Sequence, residues 1–84
     1  MIGLLMRLKI KMIKVKLLFM GYLKNKYLTD VIELNYEKPV RVHTVLKEAK
    51  ISLADVWLIK VEDTIVKEDY VLAKSSEVKL IPII

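Results

Sequence analysis

The sequence predicts an α+β domain: a mixed sheet of four to five strands with one main helix packed on one face. Three observations predict it. Two stretches far apart in the chain, Ile13 to Met20 and Glu77 to Ile83, alternate at the period of two that a half-buried strand requires. Between them only Val42, Val45, Leu46 and Ala49 show the i, i+3, i+4, i+7 spacing of one helical face. The chain has 84 residues, 55% of them hydrophobic, and no cysteine, so a single domain must be held by apolar packing alone.

Met1 to Lys11 reads as an addition to a domain spanning residues 12–84, an arm that partly lengthens the first strand; Met1, Met6 and Met12 are all usable starts. In the first strand Ile13, Val15, Leu17 and Phe19 lie on one face, with Lys14, Lys16 and Leu18 on the other. Gly21 begins a turn, and Tyr22, Lys24, Lys26 and Tyr27 make the connection a basic, aromatic loop. The second strand, Leu28 to Leu34, returns antiparallel with Ile32 and Leu34 inward. Pro39-Val40 opens the helix, and Thr44 near its start is placed to cap free N–H groups. About two turns cannot stand alone, so this helix must lie on the sheet. Ile51 to Asp55 links to a strand in which Trp57, Ile59 and Val61 face one way and Leu58, Lys60 and Glu62 the other. Glu62-Asp63 turns, Thr64-Ile65-Val66 runs back, and Lys74-Ser75-Ser76 turns into the final strand. There Val78 and Leu80 oppose Lys79 and Ile81, and Pro82 ends the ladder because it has no N–H to donate.

Strand, strand, helix, strand, short strand, strand is the order of the ubiquitin-like β-grasp, whose first and last strands pair in parallel at the sheet centre. A ferredoxin-like αβ sandwich shares part of the pattern, but only one helix is visible. The last third also resembles the C-terminal half of the MoaD/ThiS family of small sulfur carriers (molybdopterin synthase small subunit and thiamine sulfur carrier). Val61-Glu62-Asp63 stands where that family reads Val-Asn-Gly, Leu72 at its Leu, Ser76-Glu77-Val78 at its turn and strand, and Leu80-Ile81-Pro82 at its apolar-Pro tail. The resemblance covers Met12 to Pro82, and Met12-Ile13-Lys14-Val15-Lys16 is a common family opening. The family's terminal Gly-Gly is missing; Ile83 and Ile84 follow Pro82 instead. The resemblance implies docking on an adenylating enzyme of the ubiquitin-activating type or on a cofactor-synthase subunit, in molybdenum or tungsten cofactor, thiamine or related synthesis. The family's chemistry is a thiocarboxylate or acyl-adenylate on the last glycine, and a β-branched residue such as Ile84 crowds that carboxylate. The expectation is therefore a diverged protein-binding adaptor rather than an enzyme or a working carrier.

Charge and composition bound the alternatives. The net charge is +5, yet residues 1–29 hold Arg7, Lys9, Lys11, Lys14, Lys16, Lys24 and Lys26 with no acid, which leaves residues 30–84 at −2. This is either a solvated strand face with a soluble arm or an electrostatic footprint for nucleic acid or an acidic protein. The second possibility supports the alternative function, a small basic RNA-binding module in which Tyr22 and Tyr27 add stacking. Abundant Lys, Glu and Ile without Cys or Gln lean towards a thermophile. Lysines interrupt every apolar run, so no membrane span is expected, and the cytoplasm is the default compartment.

No catalytic constellation is visible. His43 is the sole histidine, the acid pairs Glu62-Asp63 and Glu68-Asp69 match no metal-ligand spacing, and Gly3 and Gly21 form no phosphate loop. No metal or cofactor is expected. What remains is surface: Leu18, Leu58 and Ile81 as an apolar patch on the open face of the sheet, continued by a free tail, Ile81-Pro82-Ile83-Ile84, for a partner or a second copy. Lys14, Lys16, Lys24, Lys26, Lys60 and Lys79 form the expected basic patch.

Overall fold

The computed structural model describes residues 12–83; the expected extension, residues 1–11, and Ile84 lie outside the described residues. The first strand, β1 (Ile13–Phe19), buries Ile13, Val15, Leu17 and Phe19 as its alternation requires. It leads through a short helix, α1 (Leu23–Tyr27), into β2 (Val31–Tyr36). Then come a two-residue strand β3 (Val40–Arg41), the main helix α2 (Val42–Glu48), a 3-10 turn (Leu53–Asp55) and β4 (Val56–Val61). The chain closes with β5 (Thr64–Val66), β6 (Val71–Leu72) and β7 (Ser76–Pro82).

Five strands form one sheet in the order β2-β1-β7-β4-β5, with β1 and β7 parallel at its centre and β2, β4 and β5 antiparallel to their neighbours. A second, two-stranded sheet pairs β3 with β6. Helix α2 covers one sheet face. Its buried Val42, Val45 and Leu46 join Val15, Leu17, Phe19, Val78 and Leu80 in a single core. This is the ubiquitin-like β-grasp that the element order predicts.

Five details depart from the sequence reading. The basic loop after β1 contains α1, because Leu23 is fully buried and ties that turn into the core. The second strand begins at Val31 rather than Leu28, which caps α1 in the left-handed region at φ 57° and is exposed. Thr44 does not cap α2: the first amides, Val42 N–H and His43 N–H, donate to the carbonyls of Tyr70 (2.9 Å) and Glu68 (2.8 Å). Pro82 is the buried last residue of β7, not part of a free tail, and Ile81 is half-buried beside it. Trp57 points away from the core and is 62% exposed. The register explains it: Val56 faces Pro82 while Leu58 faces Ile81, so a β-bulge inserts Trp57 as an extra residue and reverses its side.

The β4–β5 turn follows from its length. Glu62 and Asp63 sit at φ 49° and 68°, the pair of left-handed conformations that a two-residue hairpin demands and that Asn-Gly adopts at least cost. Here the strain is offset by two bonds: Glu62 Oε1 accepts the Glu77 N–H (2.8 Å), and the Asp63 carboxylate accepts from Lys79 Nζ (3.1 Å).

Buried and exposed apolar positions make opposite predictions. Leu80→Ala, at a fully buried site, is expected to cost about 2–5 kcal/mol in urea unfolding. Trp57→Ser is expected to change stability by no more than about 0.5 kcal/mol, and a core-sized loss there would contradict the bulge.

Candidate partner-docking face

The face of the sheet away from α2 is set by strand registers. Across it run Glu33, Lys16 and Glu77 in one row and Val31, Leu18, Lys79, Lys60 and Ile65 in the next. A third row pairs Ile81 with Leu58 directly. The structure thus brings Leu58 and Ile81 together as cross-strand partners, with Leu18 on the diagonal from Ile81, a separation of roughly 7–8 Å on such a lattice. All three are half-buried. Val31 and Ile65 belong to the same face and escaped the sequence reading. Both were recoverable: Val31 from the parity of Ile32 and Leu34, Ile65 from the two-residue turn that sets it opposite Lys60.

The apolar patch continues to the end of the sheet where the chain leaves. Gly21, at φ 57°, packs against the Pro82 ring; a Cβ on it would lie 3.0 Å from Pro82 Cγ. This position therefore needs glycine for both its backbone and its space. Around the exit, Met20, Tyr22, Trp57 and Ile83 are all exposed. Trp57 carried no sequence signal of its exposure, since a bulge leaves the composition of a strand unchanged.

The six lysines do not form one patch. Lys14, Lys16, Lys60 and Lys79 lie on the open face, whereas Lys24 and Lys26 belong to α1. Lys16 stands between Glu33 and Glu77, and Lys79 pairs with Asp63 at 3.1 Å. Lys60 and Lys79 face each other directly, an arrangement that costs stability unless another charge intervenes, as Asp63 does here.

Lys26 belongs to a brace. Its Nζ donates to Asp55 Oδ1 at 2.7 Å, and Tyr27 O–H donates to Asp55 Oδ2 at 2.6 Å. The Ser52 N–H donates in turn to the Tyr27 hydroxyl at 3.1 Å. The Tyr27 ring packs on Phe19, with centroids 5.6 Å apart. The brace ties α1 to the 3-10 turn before β4 and engages the Tyr27 hydroxyl in the fold. Bonds from Lys26 and then Tyr27 hold the Asp55 carboxyl below its ordinary value, and the bond to Asp55 raises Lys26. Burial, then the bond to Asp55, pushes the Tyr27 phenol up. Among the described residues no group of three His, Cys, Asp or Glu could hold a metal, and no helix is long and apolar enough to cross a membrane. His43 is exposed on α2.

No protein-family model matches the sequence, and no curated protein matches it. The fold is nevertheless similar to a solved structure from Pyrococcus furiosus, provisionally named molybdopterin converting factor, subunit 1. The TM-score is 0.70 at 19% identity, over 86% of this chain and 99% of that one. At this identity the likeness is one of fold.

The brace predicts a pH dependence. Because the Asp55 pKa is lower in the folded state, its contribution to stability is present above the ordinary value of 3.8 and is lost as pH falls through the folded-state value. Asp55→Asn is expected to be less stable than the parent at neutral pH, with the two unfolding midpoints converging as pH falls below the ordinary carboxyl value of 3.8. Parallel curves would mean that the brace contributes nothing.

Proposed function

We propose that the chain is a MoaD/ThiS-like docking protein of molybdenum or tungsten cofactor, thiamine or related biosynthesis. It presents the Leu18, Leu58 and Ile81 face and the residues beyond Pro82 to an adenylating enzyme of the ubiquitin-activating type or to a cofactor-synthase subunit. The observation that carries this reading is the junction of apolar face and chain exit: Ile81 pairs with Leu58 one residue before Pro82, and Ile83 emerges exposed beside them. The β-grasp likeness to a protein named as a molybdopterin converting factor subunit supports the pathway. The protein thus acts by binding and catalyses no reaction itself. Its charge pattern gives the RNA-binding alternative less support, since Lys16, Lys26 and Lys79 already face acids and Tyr27 is engaged.

Purification of the amino-terminally tagged protein from its own cells tests this. A cognate adenylating enzyme or cofactor-synthase subunit is expected to remain bound at high salt, and Leu58→Asp is expected to release it while leaving the fold intact. RNA that leaves as salt rises would replace this reading with the nucleic-acid one. A thiocarboxylate formed once Gly-Gly is added after Ile84 would make the chain a diverged carrier rather than an adaptor.

A further inference from the structure

Among the described residues the sheet has two open edges, and they differ. At one, β5 is three residues long; at the other, β2 offers six. The Phe19 N–H donates to the Asp30 carbonyl (2.9 Å), which fixes the phase of the β1–β2 ladder. In antiparallel pairing the bonded pairs alternate, so Ile32, Leu34 and Tyr36 turn their main-chain groups to β1, and Val31, Glu33 and Asn35 turn theirs to the open edge. The Thr29 hydroxyl occupies both groups of Val31, donating to its carbonyl (2.9 Å) and accepting its N–H (3.4 Å). Among the described residues nothing bonds the outward main-chain groups of Glu33 and Asn35, which present a donor and an acceptor each to any strand that arrives.

The side chains along this edge also sort into two sides. Towards the helix, Ile32, Leu34 and Tyr36 are only half-buried, and among the described residues no strand lies outside them. Beside them a groove of about 460 Å³ runs between the end of β2 and α2, its lining including Tyr36, Val40, Thr44, the acids Glu37 and Glu48, and one base, Lys38. On the opposite side stands Glu33, exposed. From residue 30 to residue 37 the charges are Asp30, Glu33 and Glu37, with no base among them.

We propose that the β2 edge is a strand-addition site for an extended peptide of a partner protein in which lysine or arginine alternates with apolar residues. An added strand bonds to Glu33 and Asn35, lays one row of side chains over Ile32, Leu34 and the groove, and turns the other row to Glu33. The period of two supplies one apolar row and one basic row. The acids also choose against the commonest wrong partner: two β2 edges brought together would set like charges along an unpaired strand, which is how edge strands avoid self-association. Two strands, β1 and β7, separate the site from β4, so it is independent of the Leu58–Ile81 pair.

The test uses the full chain, isotopically labelled, and a synthetic peptide of about ten residues alternating lysine with valine. Binding is expected to slow hydrogen exchange at the Glu33 and Asn35 amides and to weaken with salt. A peptide alternating glutamate with valine is expected not to bind. Glu33→Lys is expected to weaken the basic peptide by roughly tenfold with unchanged circular dichroism and melting. Equal affinity for the two peptides, protection confined to Leu58 and Lys60, or no binding at all would overturn the proposal. Competition by the peptide with a self-associated form of the chain would also overturn it, by making a second copy the occupant.

Discussion

The parallel pairing of β1 with β7 is the constraint from which the rest follows. Ile13–Phe19 and Ser76–Pro82 lie side by side with the register Val15 to Ser76 and Phe19 to Leu80. Two parallel strands need a crossover connection, and nearly all the chain between them serves as one. Both strands turn fully buried residues to the same side, Val15 and Leu17 from one, Val78 and Leu80 from the other. That side must be covered, and α2 is short enough to be covered in turn by its own connections. Its exposed amino-terminal amides are met by the carbonyls of Glu68 and Tyr70, from the stretch that carries β5 back to β6. The same segment therefore leaves the sheet after three residues and closes the helix.

The parts of the fold that were legible in the sequence are those where side-chain period and burial coincide. β1, β7, the second half of β4 and α2 all show their pattern over enough residues to count it. The parts that were not legible depend on single side chains or on geometry without composition. Helix α1 is five residues with one buried side chain, Leu23, too few for a period. The reversal at Trp57 comes from one inserted residue in a strand of unaltered character. β3 and β6 are two residues each and exist because their ends are positioned by α2 and β7. For the candidate site, alternation puts Leu18, Leu58 and Ile81 on one face, since the parity of three adjacent strands fixes it. The tail starts after Pro82 rather than at Ile81, because Pro82 is more than a residue without a donor. Its ring is also an apolar body, and Gly21 leaves the space in which it is buried.

Three lysines meet acids from another element. Lys26 of α1 reaches Asp55 before β4, Lys79 of β7 reaches Asp63 in the turn, and Lys16 of β1 lies between acids of β2 and β7. A surface ion pair of this kind contributes about 0–1 kcal/mol, so these contacts do not hold the fold together. They do set where positive potential is left uncancelled. On the open face it is left at Lys14, opposite Asn35, and at Lys60, beside Leu58 and Ile65, and not across the six lysines as a sheet. A concentrated cation next to apolar side chains suits the rim of a protein interface better than a long polyanion, whose binding relies on many phosphates neutralised in a row.

The exit of the chain gathers these features at one end of the molecule. Pro82 cannot extend the ladder, and its contact with Gly21 fixes the direction in which residues beyond it depart. Met20 follows β1 there, Tyr22 precedes α1, and the bulge in β4 turns Trp57 outward opposite the same strand end. Each exposure has a separate local cause, but a partner that takes hold of the chain past Ile83 must approach across all of them. Burying an aromatic such as Trp57 in a contact contributes more than burying any aliphatic neighbour, and aromatic anchors at the centre of an interface carry much of its affinity. The bulge is thus better understood through the surface it creates than through the sheet it interrupts. It costs β4 a regular register at one point and places the largest side chain of the protein where the chain leaves the fold.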